Sequence, residues 1–92
     1  MEVPTLDAIR DNAPIAIRAL GLVHAVHAVD GGWFVNGYLV RWDGAGFVCD
    51  CPNWEFHHTG QRGHCKHTLA VCLQTETYRT EVTEALEEVV HV

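Results

Sequence analysis

The strongest constraint on this chain is a short run of four residues. Cys49-Asp50-Cys51 is followed, after a gap of thirteen residues, by Cys65-Lys66-His67. Side chains two apart on a strand point the same way, so Cys49 and Cys51 can present both sulfurs to one centre from a strand end. Two apart on a helix they diverge, so Cys65 and His67 can share a centre only at the turn that starts a helix, placed here at about His67. Three thiolates and one imidazole complete a tetrahedron with no open position, the donor set of a structural zinc site. One structural zinc ion held by Cys49, Cys51, Cys65 and His67 is therefore expected. Zinc is favoured over iron or copper by the mixed sulfur and nitrogen set. His57 and His58, in the gap, are alternative ligands to His67 or else solvated loop residues.

The size of the chain gives such a staple a role. With 92 residues there is room for one small core, and a domain this size buries only about 60% of its unfolded surface. Nearly half the residues are apolar, 48%, which places the chain among globular proteins. The start, Met1-Glu2-Val3-Pro4, has neither the basic nor the apolar region of a secretion signal. No apolar run approaches the roughly 18 residues of a membrane helix. The expected location is the cytoplasm, where closely spaced cysteines are more often metal ligands than disulfides.

The balance is acidic: twelve Asp and Glu against six Lys and Arg, a formal charge of −6. Three thiolates and one divalent ion add a further −1. A basic footprint for nucleic acid over the whole protein is thus absent. Many acids, a single lysine and much Ala and Val resemble the composition of proteins from salt-accumulating organisms.

Along the chain the reading is α+β. Thr5 can cap an N-terminal helix whose Leu6 and Ile9 share a face; Asn12 and Pro14 mark a break and restart, and Gly21 a stop. Leu22 to Val29 and Trp33 to Trp42 read as strands about the turn Asp30-Gly31-Gly32, and Phe47 to Cys51 as a third after Asp43-Gly44-Ala45-Gly46. These give an antiparallel meander of about three strands. From Thr68 the pattern is helical, with Leu69, Cys72 and Leu73 on one face. Tyr78, Val82, Leu86 and Val89 continue an apolar stripe, with a bend or break in Thr75 to Thr80. One domain over 1–92 is expected: a metal-stapled core at 22–73, with helical segments at 1–21 and 74–92.

The Cys-x-Cys, gap, Cys-x-His pattern resembles the SWIM zinc finger family. Cys51-Pro52-Asn53-Trp54-Glu55-Phe56 is similar to that family's Cys-Pro-Asp/Asn-aromatic run, and Gly63-His64-Cys65-Lys66-His67 to its Gly-x-Cys-Lys-His ending. The resemblance covers about Leu22 to Leu73 and implies a ββα-like zinc module. Such modules occur in chromatin remodellers, transposases, ubiquitin-ligase-type signalling proteins and recombination accessory proteins. They are proposed to bind DNA or proteins and are not known for catalysis.

Outside the ligands, Trp54, Phe56, Arg62 and Lys66 form the basic-aromatic cluster of the sequence. They are either a contact surface, since aromatics stack on bases and cations meet phosphates, or packing and solvated residues around the site. His64 is a donor beside a ligand or an exposed turn residue. Cys72 reads as a core thiol, and Trp33, Tyr38 and Trp42 as packing residues of the sheet. Glu55 has no His-x-Glu and Pro-Cys-x-x-Cys partners of the kind zinc deaminases use, and no enzyme activity or small-molecule substrate is expected. The expected role is an adaptor that contacts proteins in a nucleic-acid-linked complex. The alternative is direct DNA or RNA binding through the loop from Pro52 to His64.

Overall fold

The computed structural model describes residues 3–52 and 64–90. Helix α1 (Leu6–Asp11) starts where the Thr5 hydroxyl accepts from the Ala8 amide at 3.2 Å, with Asp7 in the first turn where the helix dipole favours a carboxylate. Asn12 ends it, its side-chain amide donating to the Ala8 carbonyl at 2.9 Å. Helix α2 (Ala13–Leu22) restarts at once, with Pro14 in the first turn, where its missing N–H costs nothing. The helix does not stop at Gly21 as the sequence suggests. That glycine has no left-handed backbone to relieve, and the chain leaves the helix through a 3-10 turn at Val23–Ala25. The first strand is correspondingly shorter than 22–29.

Four strands follow where three were expected: β1 (Val26–Val29), β2 (Gly32–Val35), β3 (Tyr38–Trp42) and β4 (Phe47–Cys49), antiparallel and in sequence order. The stretch from Trp33 to Trp42 is a hairpin, not one strand. Asn36 and Gly37 both take positive φ, 50° and 90°, the pair of values a two-residue type I′ turn requires. The third turn is tied by Asp43, whose carboxylate accepts from the amides of Ala45 and Gly46 at 2.9 and 3.0 Å.

The register places Val35 beside Val26 and Tyr38, Val40 beside Trp33 and Cys49, and Trp42 beside Phe47. These residues lie on one face, and Val35, Val40, Phe47 and Cys49 are buried there. The opposite face sets His27, Phe34 and Leu39 abreast, with Arg41 beside Val48. The strands carry no carboxylate, whereas α1 and α4 carry Asp7, Asp11, Glu76, Glu81, Glu84, Glu87 and Glu88.

Helix α3 (Lys66–Cys72) lies on the buried face of the sheet, and α2 covers it from behind. Every α3 residue after Lys66 is buried, as expected of a helix enclosed on both sides. Small residues of α2, Ala13, Ala16 and Ala19, are buried and allow a close approach. The expected helix break falls at Leu73–Thr75, slightly ahead of the 75–80 stretch. The Arg79 guanidinium donates to the Leu73 carbonyl at 3.0 Å, satisfying a group that the end of α3 leaves open. Helix α4 (Glu76–Val90) therefore includes Thr77 and Thr80, and it packs Tyr78, Val82, Ala85 and Leu86 inward against α1 and α2. Among the described residues no helix is long and apolar enough to cross a membrane.

Candidate metal centre

Two elements converge on one point. Cys49 ends β4, and the Asp50 amide donates to the Leu39 carbonyl at 3.1 Å, carrying the β3–β4 ladder one residue further. Cys51 thus keeps the strand alternation and stands on the same side as Cys49. Opposite them, Cys65 is the N-cap of α3, with extended backbone (φ −106°, ψ 175°), and His67 is in the first helical turn. The change from extended to helical backbone at Cys65 swings two side chains that would diverge within a helix onto a common centre.

The ligand atoms of Cys49, Cys51, Cys65 and His67 all lie within 4.8 Å of one another, and all four residues are buried. His67 Nδ1 is 3.7 Å from Cys49 Sγ and 3.6 Å from Cys65 Sγ. With usual zinc–sulfur and zinc–nitrogen bonds, the sulfur–nitrogen edge of a tetrahedron is about 3.6 Å. The two sulfur–nitrogen edges observed match that length, and Nδ1 is the nitrogen that faces the sulfurs. The donor set, its spacing and its burial therefore fit one zinc ion. Zinc bound there would clamp the end of β4 to the start of α3.

Without a metal, the neighbouring thiols shift in opposite directions. The Cys49 thiol, hydrogen-bonded to Cys65, lowers the Cys65 thiol to about 4 against the opposing effect of burial. The Thr68 backbone amide, at the positive end of α3, works in the same direction. The same contact, together with burial, pushes the Cys49 thiol up. The Tyr38 ring lies against the His67 imidazole, centroids 4.6 Å apart and tilted 40°. His67 Nε2 is buried without a hydrogen-bond partner among the described residues.

The other expected site residues separate. Lys66 is half-buried in the first turn of α3. Trp54, Phe56 and Arg62 lie outside the described residues, as do His57 and His58. His64 is not an exposed turn residue. It is part-buried, with Nδ1 at 3.1 Å from the Thr68 hydroxyl and its ring 6.0 Å from that of Phe47. Trp33 and Trp42 pack on the same Phe47 ring, at 6.1 and 5.2 Å. Tyr38 is 37% exposed, so only part of its ring packs. Cys72 is buried, and burial pushes its thiol up to about 12.

Two residues of the site escaped the sequence reading, Tyr38 and Thr68. Nothing local marks Tyr38. Thr68 could have been found, since three residues after the N-cap is where a capping box places its second hydrogen-bonding side chain. Here Cys65 is the cap, and both halves of the box are present.

Residues 38–76 match the family model of the SWIM zinc finger. The match begins in β3 and ends at the first residue of α4, so β1 and β2 precede it, although the sequence resemblance began near Leu22. No curated protein and no solved structure matches the chain.

Proposed function

From a SWIM zinc-finger segment that carries a buried Cys₃His set, we propose that this chain is a zinc-dependent interaction module, an adaptor that contacts proteins in a nucleic-acid-linked complex. The observation that carries this reading is the closure of the metal centre. All four positions of a tetrahedral zinc are taken by buried protein ligands, which suits a structural ion and leaves no position for a substrate. The module is accordingly proposed to be non-catalytic.

The outer face of the sheet supports a protein partner. Phe34 is 44% exposed and Val29 37%, and the strands beneath them carry no carboxylate. Exposed apolar side chains on a sheet face of an otherwise acidic chain suit a protein surface better than a run of phosphates, whose binding draws on many cations. Arg10, for one, is already engaged by Asp7 and Glu88, at 2.9 and 3.2 Å.

One observation favours the second reading, direct DNA or RNA binding through the loop 52–64. Arg41 and Lys66 both lie in the finger segment, and Trp54, Phe56 and Arg62 belong to the sequence between its ligand pairs. A salt titration of gel shifts with the zinc-loaded chain separates the two readings. The adaptor reading expects no steep salt-dependent shift. It also expects a photo-crosslinker at Phe34 to trap a discrete protein in cells, with chelation abolishing the adduct. A shift whose slope reports several phosphates, and that weakens in Arg62→Ala with Lys66→Ala, gives the function to the second reading.

A further inference from the structure

Among the described residues, the buried polar side chains are His67 and Thr68. His67 is accounted for by the metal centre. Thr68 is fully buried yet is no ligand, and a buried hydroxyl is costly unless hydrogen-bonded. Two of its three contacts are to the backbone of Cys65, a ligand of the centre, and the third is to His64. The Cys65 amide donates to Thr68 Oγ1 at 3.1 Å, Thr68 Oγ1 donates to the Cys65 carbonyl at 3.1 Å, and His64 Nδ1 lies 3.1 Å from the same oxygen. A hydroxyl has one proton and two lone pairs. With the proton given to the Cys65 carbonyl, the lone pairs accept from the Cys65 amide and from an Nδ1–H of His64, and the oxygen is saturated.

We propose that Thr68 is a positioning residue for the metal centre, its hydroxyl locking the backbone of Cys65 on both sides so that the sulfur faces the ion. Cys65 stands where extended chain turns into helix, a point at which a small rotation would swing Cys65 and His67 apart. The hydroxyl holds both the N–H and the C=O of that residue, and so restrains both of its soft dihedrals. The Thr68 amide meanwhile donates to the Cys65 sulfur, a further tie to the same residue. The contact to His64 extends the lock one residue back along the chain. Partners that orient a ligand in this way are usually worth 10- to 100-fold in metal affinity, as an order of magnitude.

The proposal rests on the metal centre described above, and the test keeps the two separable. Thr68→Val removes the hydroxyl, Thr68→Ser keeps it, and Val82→Ala, in the buried stripe of α4 away from the centre, supplies a general loss of stability. Each full-length protein is titrated with cobalt(II) and its ligand-field and thiolate charge-transfer bands are recorded. Zinc affinity is measured by chelator competition. Thr68→Val is expected to change the cobalt bands and to weaken zinc binding by roughly 10- to 100-fold, beyond what Val82→Ala does at a similar loss of Tm. Thr68→Ser is expected to restore both. A Thr68→Val protein with wild-type bands, and no greater affinity loss than Val82→Ala, overturns the proposal and leaves the metal centre standing. If Thr68→Val does not fold, Thr68→Ser and Thr68→Ala decide, and a serine variant as impaired as alanine overturns it. A wild type that takes up no metal overturns the centre and the proposal together.

Discussion

At the scale of single residues, the largest expected losses fall at the metal ligands. Cys65→Ser is expected to lose the ion and much of the fold, because apparent zinc binding in finger peptides is worth about 10–16 kcal/mol. Native mass spectrometry should find one zinc on the wild type and none on this variant, while His57→Ala and His58→Ala each keep one. Cys72 makes a second prediction. Its thiol is pushed up from 9.0 to about 12 by burial, so above about pH 9 the unfolded chain releases a proton that the folded chain retains. Stability from this group is present below pH 9 and falls as the pH rises toward 12. Tyr78, raised by burial as well, acts in the same sense. Denaturant melts across that range should show a shallower loss in Cys72→Ala than in the wild type, the zinc ligands being common to both. The ligands were legible in the sequence because their spacing alone limits where they can point. Tyr38 was not, since the His67 ring it covers is supplied by a distant element.

Among elements, the instructive difference is the hairpin at Asn36-Gly37. Trp33 to Trp42 is rich in β-branched and aromatic residues, and that propensity conceals a turn whose Asn-Gly pair is a strong local hairpin signal. The consequence is a fourth strand. The helices were easier to read: Thr5, Asn12 and Pro14 act locally, and the structure uses each as its chemistry dictates. Gly21 misled because glycine ends a helix only where the backbone must turn left-handed, and here it does not. Gly32 has the opposite character. A Cβ there would collide with the Val40 carbonyl oxygen of the neighbouring strand. Gly32→Ala is therefore expected to cost about 1–3 kcal/mol, the usual penalty of forced overpacking, and to lower Tm without removing the zinc ligands. Thermal melts with zinc stoichiometry measured in parallel check both halves of the expectation.

The whole molecule is held by contacts that span the sequence. The Tyr78 hydroxyl donates to the Pro4 carbonyl at 2.8 Å, joining α4 to the segment ahead of α1, and the Arg10–Glu88 pair lies along the same seam. Tyr78→Phe should destabilise by about 1–3 kcal/mol, because the contact is buried and the carbonyl would be left unpaired. At the size of this chain, a calorimetric Tm should fall by about 4–8 °C for each kcal/mol lost. The α+β class and the flanking helices could be read from periodicity, but the layering of sheet, α3 and α2 could not, because it depends on which faces meet.

The placement of the ligand pairs on either side of residues 52–64 has a consequence for how such a chain can change over generations. With both ends pinned by an ion, the closure entropy of a flexible connection rises by only about 0.6 kcal/mol for each doubling of its length. Sequence inserted between Pro52 and His64 would leave untouched the β4 and α3 ends that hold the metal. By that arithmetic, added length between the ligand pairs would cost the anchor little, and new recognition could be acquired there without renegotiating the fold.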